Sequence, residues 1–144
     1  MTRRPRTTPE QLGKARIRTW LETKVLAADA PRNHARHGDQ LTEVIGGMRG
    51  TVVEIGPGAG PNMRYYAPGT SVIAVEPNPN MHAPLRASAA EHGVDLEIRT
   101  VQGERIDVDD ASVDGVVGTL VLCGVDDPAA VVAEVRRILK PGGT

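Results

Sequence analysis

Five residues in this sequence are placed to do chemistry together: Glu54, Gly56, Gly58, Gly60 and Glu76. Three glycines at alternate positions make a turn bare of side chains. A helix that starts at such a turn offers free N–H groups, and the turn lets a polar ligand come close to the main chain. Glu76 follows Gly56 by 20 residues and ends a second apolar run, Ser71-Val-Ile-Ala-Val75. A carboxylate at that place in a βαβ unit can accept both hydroxyls of a ribose. Dinucleotides and S-adenosylmethionine are the two ligand classes that share this geometry. A dinucleotide fingerprint, G-x-G-x-x-G/A, requires a small residue at position 61, where this chain has Pro. Glu54, two residues before the first glycine, is also unexpected next to a pyrophosphate.

These residues need elements to hold them. Thr51–Gly56 is rich in β-formers and apolar on both faces, as a buried parallel strand must be. Pro61–Tyr66 reads as a short helix with Pro61 in its first turn. Ser71–Glu76 is a second strand, followed by a helix from about Asn78 to Glu91 and a third strand over Asp95–Val101. Gly115–Leu122 is apolar throughout and reads as a buried fourth strand. Asp127-Pro128 caps a last helix whose stripe is Val131, Val132, Val135, Ile138 and Leu139. Before the first strand, Thr8-Pro-Glu-Gln11 starts a helix with the stripe Ile17, Trp20, Leu21, Val25 and Leu26. Pro31 interrupts it, and a polar-rich helix continues to Ile45 and Gly46-Gly47. Strands alternating with helices give a parallel α/β sheet, so residues 1–50 form a helical extension and residues 51–144 the sheet-bearing domain.

Length and composition narrow the class. The chain has 144 residues, 40% hydrophobic and 24% charged, ordinary values for one soluble domain. The net charge is −1, phenylalanine is absent, and the aromatics are Trp20, Tyr65 and Tyr66, which argues against a nucleic-acid binder. Arg3, Arg4, Arg6, Lys14, Arg16 and Arg18 crowd the start, which reads as a solvated terminus. One cysteine excludes internal disulfides and Cys-based zinc sites. The four histidines are scattered singly, with His82 read as a surface residue, so no metal is expected. No apolar run is long enough to span a membrane and the N-terminus lacks the core of a leader, so a cytoplasmic location is expected.

The motifs together resemble a family. Val53-Glu-Ile-Gly-Pro-Gly-Ala-Gly-Pro-Asn62, Val75-Glu-Pro-Asn-Pro-Asn80, Gly103-Glu104 and Ser112-Val-Asp114 occur in the order and spacing of class I S-adenosylmethionine methyltransferases. Gly118-Thr-Leu-Val-Leu-Cys-Gly-Val125 and Val135-Arg-Arg-Ile-Leu-Lys-Pro-Gly-Gly143 continue the match. Thr119-Leu-Val-Leu-Cys123 and Glu76-Pro-Asn-Pro79 are similar to the thiol S-methyltransferase branch. The resemblance covers about residues 50–143. It implies a Rossmann-like three-layer sandwich, with S-adenosylmethionine as cofactor and a small-molecule acceptor, a thiol in that branch.

The resemblance also implies roles. Gly56, Gly58 and Gly60 would line the methionine and ribose part of S-adenosylmethionine, and Glu54 would hold its ammonium directly or through water. Glu76 would take the ribose hydroxyls, and Pro77, Asn78 and Met81 would lie against the adenine. Gly103, Glu104 and Arg105 would face the adenine edge. Thr119 and Leu120 would pass under the sulfur that bears the methyl group. Two bland readings stand beside these: Glu104 as a solvated loop charge, and Cys123 as a small buried hydrophobe. No residue offers itself as a general base.

The family's sheet runs 3-2-1-4-5-7-6, and this sequence holds strands for 3-2-1-4, with strands five to seven missing. Three functions follow from different classes: a methyltransferase, a cofactor-binding fragment or half of a split enzyme, and a nucleotide-dependent oxidoreductase disfavoured by Pro61. Without a fifth strand, the outer edge of strand four is expected to recruit a second copy or a partner chain.

Overall fold

The computed structural model describes residues 31, 32 and 34–144. The expected helix over Thr8–Ala30 lies outside them. Helix α1 covers residues 34–46, and strand β1 (Thr51–Ile55) follows. Next come β2 (Ser71–Val75), α2 (Pro79–His92), β3 (Asp95–Arg99), β4 (Gly115–Gly118) and α3 (Pro128–Ile138). All strand pairs are parallel, in the order β3-β2-β1-β4, with Val53 opposite Ile73 on one side and Val116 on the other. This is the expected sheet.

β1 sits at the centre, so both of its faces are covered. Val52 joins Val72, Ala74, Ile45, Leu85 and Ala89 beneath α1 and α2. Val53 and Ile55 point the other way and pack with Val75, Ile106, Val131 and Ile138 under α3. Val52, Val53, Val72 and Val75 are fully buried, each worth about 1.5–3 kcal/mol of apolar burial. Such a strand has no face for a polar residue. Glu54 is therefore the exception in β1 that needs an account.

The helices start and stop where local chemistry tells them to. The Asn78 side chain accepts from Asn80 N at 3.1 Å, Pro79 takes the first helical position of α2, and left-handed Gly93 ends it. Asp127 caps α3 by accepting from Ala129 N and Ala130 N, again with Pro at the first position. Arg137 then ties α3 to the crossover before β4. It forks onto Glu134 at 2.8 Å, reaches Asp110 at 2.7 Å, and donates to the carbonyls of Ile106 and Val108.

Several expectations are corrected here. The short helix over Pro61–Tyr66 is a single 3-10 turn, Met63–Tyr65, because the segment bends to bury Met63, Tyr65 and Tyr66 beneath α1 and α2. β3 ends at Arg99 rather than Val101. β4 has four residues, not eight, because β1 offers it partners only from Val52 to Ile55. Past Gly118 the chain leaves the sheet in a tip, with Leu120 77% and Leu122 48% exposed. Cys123, read as buried, lies in that tip and is exposed. The outer edge of β4 is less bare than expected, since Val116 N donates to Thr144 O at 2.8 Å and Thr144 N to Asp114 O at 3.2 Å.

Candidate functional site

At the carboxyl ends of β1, β2 and β4, where open α/β sheets bind ligands, lies a cavity of about 330 Å³. Small-ligand sites typically fall between about 300 and 1,000 Å³. Gly56, Gly58, Glu76, Pro77, Asn78, Met81, Gly103, Glu104 and Leu120 line it, joined by Ile55, Val75, Gln102, Val121, Gly124 and Val125. Nine residues separated by up to 64 positions in the chain thus meet around one space. Four expected residues do not line it. Glu54 and Gly60 are buried behind the glycine turn, Thr119 is half-buried at the base of the tip, and Arg105 is exposed on a neighbouring cleft.

The three glycines are small for three different reasons. A Cβ at Gly56 would stand 2.5 Å from Val121 Cγ2, so this glycine lets the tip approach the turn. A Cβ at Gly60 would press on Leu85, Met63 and Ser88, so it lets α2 approach. A Cβ at Gly58, with φ +56°, would meet nothing within 4 Å. No packing demand explains Gly58. It faces the cavity, and its bareness leaves that space to a ligand.

Glu76 is held by the main chain. Its Oε2 accepts from Gly58 N at 3.0 Å and its Oε1 from Asn78 N at 2.8 Å. A carboxylate has about four lone-pair sites, so both oxygens keep capacity for hydroxyl donors. His82, expected at the surface, is half-buried, and its Nε2 donates to the Glu76 carbonyl at 2.9 Å. A carbonyl only accepts, so Nε2 carries the proton. That bond ties the first turn of α2 to the end of β2 and holds Pro77–Met81 along the cavity wall.

Glu54 is 1% exposed. Its Oε1 accepts from Asn62 Nδ2 at 2.8 Å and its Oε2 from the Tyr66 hydroxyl at 2.9 Å. Burial pushes this carboxyl up to about 7, and the two hydrogen bonds oppose the rise. Burial, and then the charge of Glu54, also push the Tyr66 hydroxyl up. Asn62 and Tyr66, which motif reading left without roles, are the donors that hold Glu54. A signal existed: a carboxylate on a strand buried on both faces must find donors, and these are close in sequence.

Glu104 has a use within the protein. Its Oε1 accepts from Asp126 N at 2.9 Å and Asp127 N at 3.3 Å, fastening the far end of the tip. Its own backbone N–H, and then those of Asp127 and Asp126, hold its carboxyl below the ordinary value. A larger cleft of about 830 Å³ on the α3 side is rimmed by Arg99, Arg105 and Arg137. Two of its cations are engaged, Arg137 in the clamp above and Arg99 with Glu97 and Asp107. Among the described residues no group of three or more His, Cys, Asp or Glu side chains could hold a metal ion. No helix among them is long and apolar enough to cross a membrane.

The cavity fits S-adenosylmethionine: an open Gly58, a doubly held carboxylate on β2, and apolar walls from Ile55, Val75 and Met81. Comparison with known proteins agrees. Residues 53–144 match the family model of the methyltransferase domain. The chain is 44% identical over 102 residues to the thiol S-methyltransferase TMT1B of Rattus norvegicus, covering 65% of this chain and 39% of that protein. It is 34% identical over 136 residues to TMT1B of Homo sapiens, covering 83% and 53% respectively. The chain therefore spans about half or less of the length of these relatives. A crystal structure of a putative S-adenosyl-L-methionine-dependent methyltransferase from Methanococcus maripaludis superposes with a TM-score of 0.68. At 18% identity it covers 99% of this chain and 64% of that one, and carries the fold alone. With its 3-2-1-4 parallel sheet and glycine turn, the chain belongs to the methyltransferase domain family.

Proposed function

We propose that the chain binds S-adenosylmethionine in the 330 Å³ cavity and transfers its methyl group to a small thiol, with residues 51–144 as the cofactor-binding unit. The observation that carries the proposal is the pairing of Gly58 with Glu76. The glycine leaves open space beside the turn, and the carboxylate it helps to hold keeps lone pairs that would accept from ribose hydroxyls. The likeness to thiol S-methyltransferases supports the choice of acceptor. A cytosolic setting, where a lone thiol such as Cys123 stays reduced, belongs to the same proposal.

The bound sulfonium supplies an already activated methyl group. The tasks left to this chain are to align an acceptor with it and to exclude water. Pro77, Asn78 and Met81 line the cavity, where they would lie against the adenine, and Gly103 and Glu104 would face its edge. Leu120 lines the cavity and is largely exposed, so it would face an incoming acceptor. A thiol acceptor would lose its proton to solvent and, as thiolate, form the new S–C bond as the methyl–sulfonium bond breaks and S-adenosylhomocysteine leaves, so an acceptor of low pKa needs no protein base. That fits the lining of the cavity, in which no His, Lys or Cys occurs among the described residues.

Calorimetry tests the reading. S-adenosylhomocysteine should bind and NAD should not, and Glu76→Ala should weaken binding by about 1.5–3 kcal/mol, the scale of hydrogen bonds to a charged group. NAD binding more tightly would sink the assignment, and unchanged affinity in Glu76→Ala would move the ribose elsewhere. A methylation assay with a small thiol reads the second half. Cofactor binding without turnover would leave the chain a cofactor-binding unit.

A further inference from the structure

We propose that Asn62 is a positioning residue that pins the Thr119–Leu120 tip to the glycine-turn side of the cavity; the proposal rests on that cavity being the S-adenosylmethionine site. Asn62 is 3% exposed and opens the 3-10 turn whose Met63 and Tyr65 are buried, so its own place is well fixed. Its amide nitrogen has two hydrogens and two partners, Glu54 Oε1 at 2.8 Å and Thr119 Oγ1 at 2.9 Å. One acceptor belongs to β1 and the other to the residue just beyond β4. The side chain therefore links Glu54, paired with Val117 inside the β1–β4 ladder, to the residue just past the end of that ladder.

The tip needs such a pin. Leu120 takes a left-handed φ of +55°, a conformation that a residue with a side chain holds only when its surroundings impose it. Leu120 is largely exposed, so burial does not impose it. The bonds from Gly124 N to Val121 O and from Cys123 Sγ to Leu120 O stay within the tip. Among the described residues two polar attachments join it to the rest: Asn62 to Thr119 at its start, and Glu104 to Asp126 and Asp127 at its end. Between them lie Leu120, Val121, Gly124 and Val125, which form one wall of the cavity. Glu54 ties the same amide to the centre of the sheet, so Asn62, together with the packing of Val121 against Gly56, sets the distance between that wall and the glycine turn.

Hydrogen exchange on the full chain tests this, comparing Thr119→Val, Thr119→Ser and Asn62→Ala with the parent. Thr119→Val removes the acceptor at nearly constant shape. Amides of residues 118–124 should then exchange about tenfold faster, the scale of one buried hydrogen bond, while those of β1 and β2 keep their rates. Thr119→Ser keeps the hydroxyl and should keep the protection of the tip. Asn62→Ala should match Thr119→Val in the tip; if it fails to fold, the two Thr119 variants decide alone. In the same preparations S-adenosylhomocysteine should bind Thr119→Val up to about tenfold more weakly than the parent. Unchanged tip exchange in Thr119→Val would overturn the proposal. So would acceleration spread evenly over tip, β1 and β2, which marks general loss of stability. If the parent itself binds no S-adenosylhomocysteine, the cofactor reading falls, and the exchange comparison still decides the pin without ligand.

Discussion

Glu54→Gln should make the protein more stable at pH 8. The Glu54 carboxyl is 1% exposed and titrates at about 7, against an ordinary value of 4.5. In the unfolded chain it loses its proton near 4.5, while the folded protein keeps it until about 7. Between those values the folded state binds more protons, so stability falls as pH rises through this window and stays low above it. The shift from 4.5 to about 7 corresponds to roughly 3 kcal/mol. Glutamine has the same shape without the titration. Its oxygen can accept from Asn62, and its amide can donate to the Tyr66 hydroxyl oxygen, so the buried contacts survive. Urea unfolding of parent and variant at pH 5, 6, 7 and 8 reads the effect, and the difference between them cancels groups that titrate alike in both. The two should lie within about 1 kcal/mol at pH 5, with the variant ahead by about 1–3 kcal/mol at pH 8. A difference that does not change with pH, or a variant less stable at pH 8, would refute the reasoning.

Gly58 and Gly60 should separate binding from packing. Gly58→Val should abolish S-adenosylhomocysteine binding at a cost of about 1–2 kcal/mol in stability, since only its left-handed φ is strained. Normal binding by that variant would mean that the turn serves packing alone. Gly60→Ala places a Cβ 2.9 Å from Leu85 Cδ1 and should cost about 1–3 kcal/mol, read by the urea midpoint; an unchanged midpoint would contradict the packing. Arg137→Lys keeps the charge but loses the fork onto Glu134 and the reach to the Ile106 and Val108 carbonyls. It should lower stability by about 1–2 kcal/mol, and a loss under about 0.5 kcal/mol would show that the clamp is ornamental.

Local pattern was enough for much of this protein. Val52, Val53 and Ile55 have nowhere to go but a strand covered on both faces, and alternate glycines after such a strand announce a turn that a ligand can approach. Asn78-Pro79 and Asp127-Pro128 start helices by chemistry confined to a few residues, so their positions were legible in the sequence. The family motifs then made the order β3-β2-β1-β4 readable before any coordinates. What the sequence could not state was which neighbour each side chain meets. Gly56, Gly58 and Gly60 look alike in a motif, and only the packing of Val121 and Leu85 against two of them singles out Gly58. Gly115–Leu122 is a uniformly apolar run, yet its strand stops at Gly118, because a ladder lasts only as long as its partner. Glu104 and Thr119 carry motif positions, but folding gives their oxygens to Asp126, Asp127 and Asn62. Contacts of this kind join residues up to 57 positions apart, as Asn62 and Thr119 are. They are decided by the closure of the sheet and the burial of Glu54 within it, a polar group that must be satisfied by whatever donors the fold brings to it.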